Sequence, residues 1–203
     1  DGAVLARIAA VKNKYGLVSR QHIDAAYAEK LCADRQWQKT NADISEASIT
    51  LLSTIGVGPD VIKADKKVFF SPESAALTRV EDDKRTKLCF SLSCAEAFGG
   101  TGVVMPLDGI GEGAEAMLKK DFDAAVLGLY NARFRPGQVQ LLRLLEASGK
   151  PLIVVLLGAP YAALVRRANA VIAAYEYTPL SVAAVIKALR DGRFPGRSPV
   201  RLQ

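Results

Sequence analysis

The sequence predicts a three-layer α/β/α sandwich, in which helices cover both faces of a mostly parallel, open β-sheet. Short apolar runs alternate with helical segments in units of about 25–30 residues, which is the pattern of βα repeats. Residues 152–157 are all Leu, Ile or Val, and a strand of this composition is typically covered on both faces of a parallel sheet. Because crossover connections are right-handed, the intervening helices lie on both sides of the sheet.

The chain is predicted to divide into a helical segment with a linker, residues 1–40, and a sandwich domain, residues 41–203. Apolar side chains recur at helical spacing over residues 3–15 and predict an amphipathic helix. Gly16 follows at the position where a glycine commonly ends a helix.

The next part of the chain, residues 19–40, is polar and mixed, and we predict a connector that holds one helix. A further helix is predicted to begin or continue at Asn41 or Asp43 and to end within S-I-T-L-L-S, residues 48–53.

Within the sandwich, each predicted strand is a short apolar run, and each predicted helix shows helical periodicity or boundary residues. The strands are predicted at residues 67–70, 87–92, 102–106, the later part of 121–130, 151–157 and 170–175. The helices are predicted at residues 113–120, 136–149 and 179–189. Pro136 and Pro179 suit the first turn of a helix, while Gly149 and Gly192 suit its end.

The bulk composition excludes several classes of protein. Of 203 residues, 50% are hydrophobic and 24% are charged, so the chain is globular rather than disordered. The net charge is +6, but the basic residues are scattered and do not interleave with aromatic residues, so we predict no nucleic-acid partner. No apolar run approaches the ~20 residues of a membrane span, so no membrane partner is predicted. The N-terminus carries no signal peptide pattern, and its start without Met leads us to expect a piece of a longer protein.

Signatures of catalysis and metal binding are absent from the sequence. The single histidine, His22, lies in the polar connector, and no G-x-S-x-G motif presents a nucleophile. The three cysteines show no C-x-x-C spacing. Gly109, Gly111 and Gly113 form G-x-G-x-G, which departs from the dinucleotide-binding fingerprint and is predicted to be a tight turn. We therefore assign no catalytic residue, no metal ligand and no cofactor.

Polar and aromatic residues follow three of the predicted strands, at the edge where open α/β sheets bind ligands. Asn131 and Arg133 follow one strand, Tyr161 follows the next, and Glu176 follows the last, which ends at Tyr175. These five residues are predicted to face either a sugar or a neighbouring domain, and an interdomain surface is the simpler interpretation.

Five segments resemble, in collinear order, the C-terminal α/β domain of glycoside hydrolase family 3. They are A-R-I-A-A-V-K-N-K-Y-G-L-V at residues 6–18, A-D-I-S-E-A-S-I-T-L-L at 42–52, L-L-G-A-P-Y at 156–161, A-Y-E-Y-T-P at 174–179 and S-V-A-A-V-I-K-A-L-R-D-G-R-F-P-G-R-S-P-V at 181–200. The S-I-T-L-L and G-x-P-Y forms are similar to the β-N-acetylglucosaminidase branch. The region between residues 63 and 107 departs most from the family pattern.

The resemblance implies an accessory domain that is inactive alone. In that family the nucleophilic aspartate lies in an N-terminal barrel, whose motifs do not occur here, so no catalytic residue is carried over. Residues 1–40 would then be the end of the barrel domain, and the partners would be that barrel and a carbohydrate.

Three other hypotheses stay open from the sequence. The chain is alternatively a stand-alone, flavodoxin-like module that binds a small ligand such as a sugar, or an enzyme that uses Glu176 by itself. The apolar face of the first helix also raises the hypothesis of a homodimer.

Overall fold

The computed structural model of the chain describes residues 2–17, 24–72, 88–106, 108–160 and 164–198. His22 and Tyr161 lie outside the described residues. The chain consists of two compact units, Asp1–Thr40 and Asn41–Gln203, and each is described by itself. No helix among the described residues has the length and apolar character that crossing a membrane requires.

The first helix, α1 (Gly2–Lys14), is confirmed, and it ends as its glycine predicts. Gly16 has a φ of 64°, its amide donates to the Asn13 carbonyl (3.2 Å), and the amide of Leu17 donates to the Lys12 carbonyl (2.8 Å). This pair of bonds is a Schellman motif, which satisfies carbonyl groups at the helix end. No residue of α1 is buried.

The connector holds two helices, so the prediction of a single helix there was wrong. Helix α2 (Ala25–Cys32) begins behind Asp24, whose carboxylate accepts hydrogen bonds from two backbone amides of the first turn. Helix α3 (Arg35–Ser48) begins behind Asp34, whose carboxylate accepts from the amide two residues on, at 2.7 Å. Each aspartate satisfies backbone donors that a helix start leaves unpaired, so each allows a separate helix to begin.

The helix predicted to end within residues 48–53 does end there, at Ser48, but most of that segment forms a strand that was not predicted. Helix α3 stops at Ser48, and β1 (Thr50–Thr54) pairs antiparallel with the last strand. Thr50 lies opposite Ala173 and Thr54 opposite Ala170. The backbone of this short segment gains a ladder of hydrogen bonds from a distant strand, and this gain outweighs the helical pattern of its neighbours.

The sheet has six strands in the order β1-β6-β5-β4-β2-β3. All neighbours are parallel except β1, which is antiparallel to β6. The remaining strands are β2 (Lys67–Pro72), β3 (Thr101–Met105), β4 (Ala124–Leu129), β5 (Leu152–Leu156) and β6 (Ala170–Ala173). Counted from β2, the parallel strands run 2-1-3-4-5, the doubly wound order of flavodoxin-like sheets.

Helices cover both faces of the sheet, so the three-layer sandwich is confirmed. One face packs against α4 (Phe90–Phe98), α7 (Pro179–Asp191) and a 3₁₀ turn, Gly58–Lys63. The other face packs against α5 (Glu112–Leu118) and α6 (Pro136–Ala147). Strand β5 shows why its sequence is wholly apolar: alternate residues enter the two cores, and every one of them is buried.

The strand predicted at residues 87–92 was wrong, since α4 begins there. Phe90, Ser91 and Cys94 of this helix are all fully buried, a spacing that puts them on one helical face. The short run L-C-F-S-L-S-C fits either period, and packing against the sheet decides between them. The other predicted strands and helices of the sandwich are present.

Candidate functional site

The carboxyl ends of the parallel strands meet at one edge of the sheet, here called the carboxyl edge. The chain passes from β2 to the outer strand β3, then crosses back over β2 to β4. The connections after β2 and β4 therefore leave in opposite directions, which opens a crevice between these strands, the switch point of the fold. The predicted site residues that the structure describes lie along this edge.

Asn131 lies two positions after the last residue of β4, in a turn that hydrogen bonds hold in place. Its backbone is left-handed, with a φ of 46°, a conformation that asparagine tolerates better than most residues. The buried Gln138 of α6 grips the preceding residue, Tyr130: its Oε1 accepts from the Tyr130 amide (2.8 Å), and its Nε2 donates to the Tyr130 carbonyl (3.2 Å). The Asn131 side chain accepts from the amide of Ala159 at 3.4 Å.

The same turn presents Arg133 and Phe134 to solvent. Arg133 is exposed, and its guanidinium carbon lies 5.9 Å from the centroid of the Phe134 ring. Phe134 is 76% exposed, although a large aromatic side chain is usually much better covered. Phe134 was not among the predicted site residues; its position between two arginines, Arg133 and Arg135, is the sequence signal that could have indicated its exposure.

The side chains of the segment Y-E-Y-T-P, which follows β6, have different surroundings. Tyr175 has a φ of 63°, which is strained for a bulky residue, and its hydroxyl donates to the Thr50 hydroxyl of β1 at 3.0 Å. Glu176 is exposed and accepts a hydrogen bond from Thr178 at 3.4 Å. Thr178 caps α7 by accepting from the amide of Ser181 at 3.3 Å.

Tyr177, which was not among the predicted site residues, makes several buried hydrogen bonds at this edge. Its hydroxyl donates to the carbonyl of Pro72 (2.6 Å), accepts from the amide of Phe90 (2.9 Å), and lies 3.4 Å from the Ser71 hydroxyl. Burial, opposed by the hydrogen bonds with Ser71 and the Phe90 amide, raises the pKa of Tyr177 to about 12. Tyr177 is therefore a neutral donor and acceptor that ties the end of β2 to the start of α4.

The predicted site residues share one edge, but they do not converge on one point. Tyr175 and Glu176 follow β6, and Asn131 and Arg133 follow β4, with β5 between them. Tyr161 lies outside the described residues. Their role towards a sugar or a domain stays a prediction.

Asp108 and the glycines near this edge make contacts that stabilise the fold. Asp108 forms an ion pair with Arg135, with both carboxylate oxygens within 3.2 Å of Nη1. A Cβ on Gly137 would lie 2.3 Å from backbone atoms of Gly109, so the predicted tight turn is also a site of close backbone contact. In the described ranges, no three His, Cys, Asp or Glu side chains group in a way that could hold a metal ion.

A groove of about 280 Å³ is lined by residues of α3, α7 and the chain after α7. Small side chains such as Ala47 and Ala184 form part of its lining, and Lys187 and Glu46 form an ion pair beside them. Its charges are mixed, and none of the predicted site residues lines it.

Comparison with known proteins relies on solved structures, because no family model and no curated protein matches the chain. A glycoside hydrolase family 3 β-N-acetylglucosaminidase from Paenibacillus sp. strain FPU-7 matches with a TM-score of 0.71 and 23% identity over 95% of this chain and 38% of that chain. The β-glucoside phosphorylase BglX matches with a TM-score of 0.65 and 21% identity, over 97% of this chain and 37% of its own. A β-glucosidase from Listeria innocua matches with a TM-score of 0.60 and 15% identity, over 79% and 26%.

The chain has the fold of one part of family 3 glycoside hydrolases. The resemblance found in the sequence is thus confirmed at the level of the fold, and identities below 25% make no statement about activity. The chain spans 38% or less of the length of these three enzymes. A stand-alone ligand-binding module is not favoured by these matches.

Proposed function

We propose that this chain is the C-terminal accessory domain of a family 3 glycoside hydrolase of the β-N-acetylglucosaminidase type, and that it supports a barrel catalytic domain outside the chain. The supporting observation is the match of 95% of this chain to only 38% of the Paenibacillus enzyme. A chain that is almost wholly accounted for by a minor part of an enzyme fits a domain of that enzyme better than an independent protein.

The carboxyl edge has the features of a surface that contacts another domain. Arg133, Phe134 and Glu176 are exposed there, while Gln138 and Tyr177 hold the backbone beneath them with buried hydrogen bonds. A backbone that is already held in place loses little conformational entropy when a partner covers it. We propose that this edge faces the barrel and, through it, the carbohydrate substrate.

Helix α1 supplies a second candidate surface, within the first unit. Its apolar residues Val4, Leu5, Ile8 and Val11 are 47–68% exposed. An apolar stripe of this kind favours association, and we propose that in the absence of a barrel it promotes a homodimer. Light scattering of the purified chain tests this, and a monomer at all concentrations would contradict it.

The proposed function is tested by activity and by gene context. The purified chain is assayed on aryl β-N-acetylglucosaminide and aryl β-glucoside, together with the Glu176→Gln variant and, as a control, Glu112→Gln at another exposed carboxylate. We expect no turnover from any of them. Turnover that Glu176→Gln alone abolishes would refute the proposal.

The coding sequence upstream of the Asp1 codon provides an independent test. We expect about 300 to 350 codons of alternating βα repeats, the length of an ordinary barrel domain. An upstream sequence without such repeats, or a start codon directly before Asp1, would contradict the proposal that this chain belongs to a barrel enzyme.

A further inference from the structure

We propose that the switch-point crevice of this domain is closed by its own side chains. Tyr177, Ser71 and Gln138 accept hydrogen bonds from the backbone amides that a bound anion would need. In doubly wound sheets, ligands bind in the crevice outside the carboxyl ends of the strands, and anions lie on free N–H groups at the start of the helix that follows. Here that helix is α4, and the crevice lies between β2 and β4. This inference does not depend on the proposed function.

The first amide of α4 is held by a side chain from the far end of the sequence. The amide of Phe90 donates to the hydroxyl of Tyr177 at 2.9 Å, and that hydroxyl donates to the carbonyl of Pro72 at 2.6 Å. One hydroxyl therefore closes the gap between the end of β2 and the start of α4. An anion at this position would have to displace it.

The second amide of α4 is held from β2. The amide of Ser91 donates to the hydroxyl of Ser71 at 2.9 Å, and Ser71 is fully buried. Cys89, at the position before the helix, makes no capping bond with its own side chain. The helix start is thus capped from residues 20 and 87 positions away in the sequence, in place of the usual local cap.

The third amide lies directly after β4, on the other side of the crevice, and belongs to Tyr130. The amide of Tyr130 donates to Gln138 Oε1 at 2.8 Å, and Gln138 is fully buried. Its Nε2 also donates to the Tyr130 carbonyl at 3.2 Å. The side chain of Gln138 thus makes the two hydrogen bonds with the Tyr130 backbone that a paired strand would make. The amide of Tyr130 is therefore occupied as well.

Apolar side chains also pack where α4 meets β4. A Cβ on Gly128 of β4 would lie 2.7 Å from the ring of Phe90 and 2.9 Å from Leu157, so Phe90 rests directly on the strand. The rings of Tyr130 and Tyr177 lie 6.0 Å apart. A ligand that entered the crevice would have to expel buried side chains as well as break the three hydrogen bonds.

The consequence is functional. Among the described residues, this crevice is part of the packed interior and not a receptor for phosphate-bearing ligands. The carboxyl edge then acts through its exposed side chains, such as Arg133 and Glu176, which suits contact with another protein surface.

Residue-resolved hydrogen exchange tests the closure. We expect Tyr177→Phe to speed exchange of the Phe90 amide by about 5- to 150-fold, the range for losing one partner of a buried hydrogen bond. Ser71→Ala should act in the same way on Ser91, and it tests the proposal independently if Tyr177→Phe does not fold. Tyr175→Phe is the matched control, because its hydroxyl bonds to Thr50 and should leave Phe90 unchanged.

Titration of the unmodified chain supplies the second measurement. Inorganic phosphate and flavin mononucleotide are added separately while the amide resonances of Phe90, Ser91 and Tyr130 are followed. We expect no saturable shift at these three amides with either probe. A saturable shift there, or unchanged exchange at both Phe90 and Ser91 in their respective variants, would overturn the proposal.

Discussion

Glu146 provides the sharpest test of how this fold is held together, because its carboxylate joins α6 to the loop before β6. It is 9% exposed. Its Oε1 accepts from the backbone amides of Arg166 (2.6 Å) and Arg167 (2.9 Å), and its Oε2 forms an ion pair with Arg143. One buried charge thus holds the part of the β5–β6 connection at Arg166 and Arg167.

We expect Glu146→Gln to lower the free energy of unfolding by about 2 kcal/mol. A hydrogen bond to a charged group contributes about 1.5–3 kcal/mol and a neutral one about 1 kcal/mol. Glutamine keeps one oxygen for the two amides but loses the charge, and its NH₂ group faces the guanidinium of Arg143. The melting temperature should therefore fall by about 4–8 °C for a chain of this length.

The effect should depend on pH in a defined direction. Burial raises the pKa of Glu146, but the amides of Arg167 and Arg166 and the guanidinium of Arg143 outweigh burial, so the pKa lies below its ordinary value. The charged form therefore stabilises the fold above about pH 4.3, and this contribution is lost as the pH falls through the lowered pKa. Glutamine does not titrate, so the difference between wild type and variant should shrink in acid.

Urea unfolding followed by circular dichroism, at pH 7, 5 and 3, measures both effects. Glu112→Gln is the control, because Glu112 is exposed and its substitution should change stability by less than about 0.5 kcal/mol. A difference for Glu146→Gln that is absent at pH 7, or equally large at pH 3, would refute the reasoning.

Three further predictions concern two glycines and the thiols. Gly137→Ala should destabilise the protein by about 1–3 kcal/mol through overpacking, because its Cβ would meet the Gly109 backbone at 2.3 Å. Gly192→Ala should cost about 1–2 kcal/mol for a different reason: there its φ is 64° with no atom within 4 Å. Urea unfolding measures both, and wild-type stability in either variant would contradict the prediction. Of the three cysteines, only Cys32 is exposed, so a thiol reagent should titrate one thiol promptly in the native protein and three in urea; two prompt thiols would contradict the burial.

Local signals made most of the sandwich predictable. The wholly apolar run of β5 indicated a strand covered on both faces, and its residues do alternate between the two cores. Pro136 and Pro179 mark helix starts, and Gly192 ends α7 with a positive φ, because these residues restrict or permit backbone angles by themselves.

The errors occur where a short segment has two acceptable structures. The start of α4 and strand β1 both lie in runs whose apolar pattern fits either period. Their structures depend on distant partners: β1 on β6, and α4 on Ser71 and Tyr177. Propensity within such a segment is a weak preference, and packing or pairing outweighs it.

The sequence by itself determined the class of fold, the helix and strand boundaries set by Pro and Gly, and the edge at which polar residues collect. Only the tertiary structure decided what each residue of that edge does: Tyr177 turns inward to bind Pro72 and Phe90, while Glu176 beside it stays in solvent. The physical reason is the distance along the sequence over which each interaction acts. Backbone preferences act between neighbours in the chain, whereas a buried hydroxyl must find partners that only folding brings within hydrogen-bond distance.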